Sequence, residues 1–229
     1  MKPRLLDLYC CEGGAAMGYS MAGFDVVGVD IEKQPRYPFP FIRCDVLDMD
    51  PRFLATFDVI HASPPCQFAT LLKHAPGGKQ HDNLIPGTRA LLKATGRPYI
   101  IENVEPAGPH LLDPVTLCGT MFGLGAEGCE LRRHRLFETS FSLTAPCACT
   151  HSDRAVIGVY GGHARKRSAK HGGRGTKDIW DGGHRGAAET AMQMPWATLN
   201  GMSEAIPPAY TKHIGLALVA HLASQRQAA

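Results

Sequence analysis

No stretch of this chain approaches the run of about 20 apolar residues that a membrane-spanning helix needs, so no membrane association is expected. Neither sign of charge dominates: 24 Lys and Arg stand against 21 Asp and Glu, a formal net charge of +3. That balance is too mild to imply nucleic acid by itself. No internal repeat is present, which sets aside solenoids and arrays. Met1-Lys2-Pro3-Arg4 leads straight into a short strand pattern, not into the apolar core of a secretory signal. A reducing, cytoplasmic compartment is therefore expected. The eight cysteines then read as thiols, catalytic or metal-binding, and not as a disulfide framework.

What is present suits one α/β domain with a small appendage, or one large domain: 229 residues, 44% of them apolar. The pattern turns on Ser63-Pro64-Pro65-Cys66-Gln67, which follows an apolar run from Phe57 to Ala62. Two prolines cannot continue a ladder, so the strand stops and Cys66 sits on a stiff turn at its carboxyl end. In an open α/β sheet that edge carries the chemistry. Upstream, Leu5 to Tyr9 reads as a strand, Cys10 to Gly14 as a tight turn, Ala15 to Met21 as a helix and Asp25 to Asp30 as a second strand ending in an acid. This unit can hold a nucleoside, with Asp30 accepting from two ribose hydroxyls. The turn lacks the full Gly-x-Gly-x-x-Gly pattern, Cys11 standing where a glycine is usual, and it carries Glu12. A nucleoside with a cationic or zwitterionic tail fits it better than a dinucleotide.

Further along, Phe41 to Val46 reads as a third strand, and Asp45 is open to two readings, an acceptor for an adenine amino group or a cap. Residues from Phe68 to Gly87, with Lys73, His74, Gly77, Gly78, Lys79 and Gln80, show no period and are expected to form a lid over Cys66. A short helix is expected over Thr88 to Thr95. Arg97 to Val104 reads as a strand in which Glu102 follows an apolar run, so its carboxyl is expected to be desolvated and raised.

Four features in this order resemble the DNA cytosine-5 methyltransferase family: the Gly13-Gly14 turn with Asp30, Pro65-Cys66-Gln67, Glu102-Asn103-Val104, and Arg133-His134-Arg135. Ala205-Ile206-Pro207-Pro208, leading into a helix ending near Ala223, resembles the family's last motif. The likeness is to a compact, phage-type member. It implies a Rossmann-like S-adenosylmethionine-dependent methyltransferase sheet with helices on both faces. Catalytic residues would be Cys66, Glu102, Arg133 and Arg135. The cofactor would lie against Asp7, Tyr9, Cys11, Gly13, Gly14, Asp30, Ile31, Asp45, Val46 and Pro65. Pro65, Gln67, Asn103, Arg165, Lys166 and Arg167 would meet the substrate. The resemblance further implies double-stranded DNA as partner, base flipping, and a place in restriction-modification; a monomer is expected. Methylation of cytosine-5 in tRNA, and a non-catalytic DNA-binding protein that keeps the fold, are the alternatives. Cys11, Leu131 and Glu204 depart from the family's pattern, and Ile31 is smaller than the usual aromatic.

The catalytic domain is expected over residues 1–138 and 188–229, with a small, irregular target-recognition region at 139–187. From His163 to Arg185 the chain is rich in Gly, Lys, Arg and His with no period, and is expected to be a flexible arm on DNA phosphates. At the start of the region, Cys147, Cys149 and His151 are candidate metal ligands that Cys118 or Cys129 could complete. The spacing is not a paired Cys-x-x-Cys, so ordinary thiols and no metal are expected.

Overall fold

The computed structural model describes residues 2–69, 81–169 and 184–228. In chain order the elements are β1 (Arg4–Leu8), α1 (Gly14–Met21), β2 (Asp25–Asp30), β3 (Phe41–Arg43), α2 (Pro51–Leu54), β4 (Val59–Ala62), α3 (Ile85–Ala94), β5 (Tyr99–Asn103) and β6 (Val115–Leu117). They continue with β7 (Gly125–Ala126), β8 (Cys129–Glu130), β9 (Arg135–Thr139), β10 (Val156–Tyr160), β11 (His163–Arg167), α4 (His184–Met192), α5 (Leu199–Glu204) and α6 (Pro208–Ala228). The expected lid residues from Lys73 to Gln80, and Lys170, His171, Arg174 and Lys177 of the expected arm, lie outside the described residues.

Seven strands form one sheet in the order β3-β2-β1-β4-β5-β9-β6. The first five are mutually parallel, while β9 runs antiparallel to both β5 and β6. Chain order reverses between β1 and β4, and a ligand crevice belongs outside their carboxyl ends. Side chains alternate across the sheet, as the two-residue strand period demands. Leu5 and Val59 join a core with α1 and α6, while Leu6, Leu8, Ile60 and Ala62 join a second core with α3. The sheet is thus covered on both faces, which explains the nearly continuous apolar strands.

α6 returns to lie on α1. A Cβ on Gly18 would come within 2.1 Å of the Pro208 carbonyl oxygen, so the contact requires glycine. Thr211 Oγ1 bonds the Ala15 carbonyl at 2.8 Å across the same contact. Two helix limits differ from expectation. α3 starts at Ile85, because Asn83 Oδ1 accepts from Ile85 N and Pro86 occupies the first turn, where proline is favoured. α6 runs on to Ala228.

A second sheet has the order β11-β10-β8-β7. It gathers β10 and β11 from the 139–187 region together with β7 and β8, which precede that region. The segment expected as an aperiodic arm begins as regular structure: Arg165, Lys166 and Arg167 pair with Gly158, Ile157 and Val156 in an antiparallel ladder. The apolar strand β10 supplies the pairing that local composition does not suggest.

Candidate active site

Cys66 is held by its surroundings on three sides. Ser63 N donates to the Leu8 carbonyl at 3.2 Å, fixing the end of β4. Asn103 Nδ2, buried at the end of β5, donates to the Pro64 carbonyl at 2.9 Å. The Cys66 carbonyl then accepts from Ala69 N at 3.0 Å, closing the single helical turn Gln67–Ala69. Asn103 therefore shapes the turn from behind with one of its two amide hydrogens, while its Oδ1 accepts from Val104 N at 3.0 Å.

A cavity of about 390 Å³ opens where β1, β2, β4 and β5 end. Cys66, Glu102 and Arg135 line it together with Asp30, Ile31 and Gly14. Asp7, Tyr9, Cys11, Pro65, Gln67 and Asn103 also reach its wall. Asp30 is buried, with Oδ2 accepting from Cys11 N at 3.1 Å and Oδ1 from Glu32 N at 2.9 Å. Each oxygen keeps acceptor capacity beyond its one bond. Beside it Ile31 is 56% exposed, an apolar face left open at the cavity wall. The turn before α1 is left-handed at Tyr9 (φ 58°), Cys11 (φ 44°) and Gly13 (φ 83°). The conformation explains why glycine suits position 11, and Cys11 bears the strain of departing from it. Glu12 does not face the cavity's ligand space as an isolated acid. Its carboxylate accepts from Thr198 N at 2.6 Å and Thr198 Oγ1 at 2.8 Å.

Three thiols line this cavity, and their electrostatics separate them. Burial pushes Cys10 and Cys11 up, and the neighbouring carboxylates Asp7 and Asp30 push them further. Burial also raises Cys66, but there Arg135 pulls down, opposed by Glu102. Cys66 is the thiol of the three with a guanidinium acting on it. Arg135 thus favours the thiolate, but burial outweighs it.

Glu102 is buried, and burial lifts its carboxyl above the usual range against Arg135, a hydrogen bond with Ser63, and Arg133. Arg135 Nε lies 3.1 Å from Glu102 Oε1, and Arg135 Nη1 donates to the His134 carbonyl at 2.8 Å. Behind Ser63 stands a polar chain. Ser63 Oγ lies 2.9 Å from His61 Nε2, and His61 Nδ1 lies 2.9 Å from the Tyr19 hydroxyl. Fully buried, His61 is driven down to about 3 by desolvation and is neutral.

Arg133, expected among the catalytic residues, does not line the cavity. It is fully buried, and its guanidinium donates to the carbonyls of Ala205 at 3.1 Å, Val159 at 2.8 Å and Ser203 at 2.6 Å. Its donors join β10 to the segment before α6, and the cavity wall does not include it. Desolvation lowers it to about 10. Its hydrogen bonds are spent on three backbone carbonyls. Asp45 Oδ1 caps the helical turn Val46–Asp48 by accepting from Leu47 N at 3.0 Å. Asp45 and the core residue Val46 are outside the cavity lining, as is Gly13, whose role is the left-handed cap of α1. Arg165, Lys166 and Arg167 lie on β11, also outside the lining. Cys149 and His151 gather elsewhere with Cys118 and His134, while Cys147 is exposed and Cys129 belongs to β8.

Ser63, Ser203, Ala205 and Ile206 also line the cavity and were not singled out for it. Ser63 had a signal, standing in the turn itself; Ser203 and its neighbours reach the site only because α6 returns to α1.

No protein-family model and no curated protein matches the chain. Among solved structures, it is similar to an E. coli prophage protein named as a DNA modification methyltransferase, at 20% identity over 59% of this chain and 45% of that one, with a TM-score of 0.43. A triple mutant of Spodoptera frugiperda DNMT2 matches at 20% identity over 60% of this chain and 49% of that one, TM-score 0.42. S. pombe Dnmt2 methyltransferase matches at 15% identity over 63% and 52%, TM-score 0.44. The chain spans about half the length of these structures.

Proposed function

We propose that the chain is an S-adenosylmethionine-dependent DNA cytosine-5 methyltransferase. The observation that carries this reading is the convergence of Cys66, Glu102 and Arg135 on the cavity that Asp30 and Ile31 also line. The residues present fit the cofactor. Asp30 has acceptor capacity for ribose hydroxyls, Ile31 offers an open apolar face to an adenine, and Gly14 brings backbone to the wall. When bound there, S-adenosylmethionine supplies an electrophilic methyl group.

The chain's own residues prepare the acceptor. A cytosine turned out of the duplex meets Cys66, whose thiolate adds to C6 and makes C5 nucleophilic. Glu102, raised by burial, holds its proton at neutral pH more readily than an ordinary carboxyl and can share it with N3. Arg135 orients Glu102 and lowers the Cys66 thiol, so one guanidinium serves both groups. Loss of the C5 proton and release of the Cys66 sulfur from C6 complete the reaction. Arg165 and Lys166 on β11 would contact the DNA backbone as cations on a fixed strand.

The test is a duplex containing 5-fluorocytosine, from which fluorine cannot leave as a proton does. A covalent adduct that requires both S-adenosylmethionine and Cys66, together with label transfer to duplex DNA, supports the reading. Label transfer to tRNA with none to DNA would overturn the DNA assignment. Binding of DNA with neither adduct nor transfer would indicate a non-catalytic protein.

A further inference from the structure

Outside the cavity, four side chains from three separated stretches of sequence meet. Cys118 follows β6, His134 immediately precedes β9, and Cys149 with His151 lies in the connection from β9 to β10. One donor atom from each lies within 4.8 Å of every other. We propose that Cys118, His134, Cys149 and His151 form a structural zinc site that clamps the β9–β10 connection onto the edge of the seven-stranded sheet.

The distances carry the proposal. Tetrahedral zinc with bonds of about 2.3 Å to sulfur and about 2.05 Å to nitrogen sets each sulfur–nitrogen edge near about 3.5 Å. Here Cys118 Sγ lies 3.5 Å from His151 Nε2, Cys149 Sγ lies 3.4 Å from His134 Nε2, and Cys149 Sγ lies 3.2 Å from His151 Nε2. The His151 nitrogen thus faces two sulfurs at once. A single N–H points at one acceptor, so thiol–imidazole hydrogen bonding alone serves this arrangement poorly. A metal at the centre serves all four donors together. The two imidazole rings stand 5.2 Å apart at 60°, without stacking face to face.

The surroundings are those of a ligand shell. Glu105 Oε2 lies 3.8 Å from His134 Nδ1, an ion-pair distance on the ring edge away from the sulfurs. Thr120 Oγ1 donates to Cys118 Sγ at 3.3 Å, a bond that suits a thiolate. Two sulfurs and two imidazoles in a tetrahedron favour zinc. Four protein donors fill the coordination sphere, the form of a structural site and not a catalytic one.

The clamp also acts on the peptide between Arg133 and Arg135. The His134 carbonyl accepts from Arg135 Nη1, so fixing the His134 ring fixes the backbone from which Arg135 projects. This consequence for catalysis rests on the function proposed above, whereas the metal content does not.

The experiment is metal analysis of the full chain, expressed with zinc and freed of loosely held metal on a chelating resin. One zinc per chain is expected, with an affinity on the order of nanomolar or tighter. Cys149→Ser and His151→Ala should lose it, while Cys147→Ser and Cys129→Ser should keep it. Cobalt in place of zinc should give the absorption of a tetrahedral ion with thiolate ligands, a readout on the wild-type chain that needs no variant to fold. Wild-type chain that holds no zinc and takes none up at micromolar concentration would overturn the proposal. So would a six-coordinate cobalt spectrum, or equal loss of zinc from Cys147→Ser.

Discussion

Arg135 Nε lies 3.1 Å from Glu102 Oε1 with both side chains buried, and the same guanidinium acts on the Cys66 thiol. Removing the guanidinium should therefore move two groups in one direction. Arg135 lowers Glu102 and Cys66 alike, so both rise in Arg135→Gln. The thiolate needed for attack then appears at higher pH, and the protonated carboxyl survives to higher pH. Both limbs of the pH profile of kcat/KM should shift alkaline, with a lower maximum. A profile of reduced height that stays in place would mean that Arg135 acts only on the substrate.

Asp30 has two duties that substitution can separate. Its oxygens hold Cys11 N and Glu32 N, each keeps acceptor capacity beyond that bond, and the residue lines the cavity. Asp30→Ala should weaken S-adenosylhomocysteine by roughly 2–4 kcal/mol, the value of two charge-assisted hydrogen bonds before water compensates. Asp30→Asn preserves side-chain size and should retain the turn better while still losing affinity. Calorimetry showing unchanged affinity in both variants would place the ribose elsewhere.

Arg133→Met should act on stability. It leaves the carbonyls of Ala205, Val159 and Ser203 without this donor, and each buried group left unsatisfied costs about 1–3 kcal/mol. A fall of several kcal/mol in urea unfolding is expected. A variant with wild-type stability and lost turnover would restore Arg133 to the chemistry.

The two arginines show where sequence reading stops. Arg133 and Arg135 share a motif, and only partners 26 to 72 residues away along the chain separate their roles. Cys66 was legible because two prolines and an apolar run act locally, and Asp30 because it ends a strand. Asp45 carried a cap signal and a ligand signal of equal local strength, and of these the structure shows the cap, on the backbone amide of Leu47. β11 was hidden because its own residues favour no strand, and its pairing belongs to β10. Of the Cys118–His134–Cys149–His151 cluster, Cys118, Cys149 and His151 were candidates from sequence; His134 was read only as part of the arginine motif, and the fold brings it to the other three.

His61 provides a test of the buried polar chain behind Ser63. Its ring faces the Tyr19 hydroxyl and Ser63 Oγ, and desolvation drives it down to about 3 from an ordinary value of 6.5. A depressed folded value means that His61 contributes stability fully above about pH 6.5, the range of the unfolded chain. That contribution is lost as pH falls toward about 3, where the folded group also charges. Within that window the difference grows by about 1.4 kcal/mol per pH unit. His61→Gln keeps polar atoms near both partners and removes the titration. The wild type should lose roughly 3 kcal/mol relative to this variant between about pH 7 and about pH 4.5. Urea midpoints measured side by side cancel the carboxylates that titrate in both proteins. Parallel curves for the two chains would show that His61 is not buried as the neutral ring, and the chain from Tyr19 through His61 to Ser63 would lose its central link.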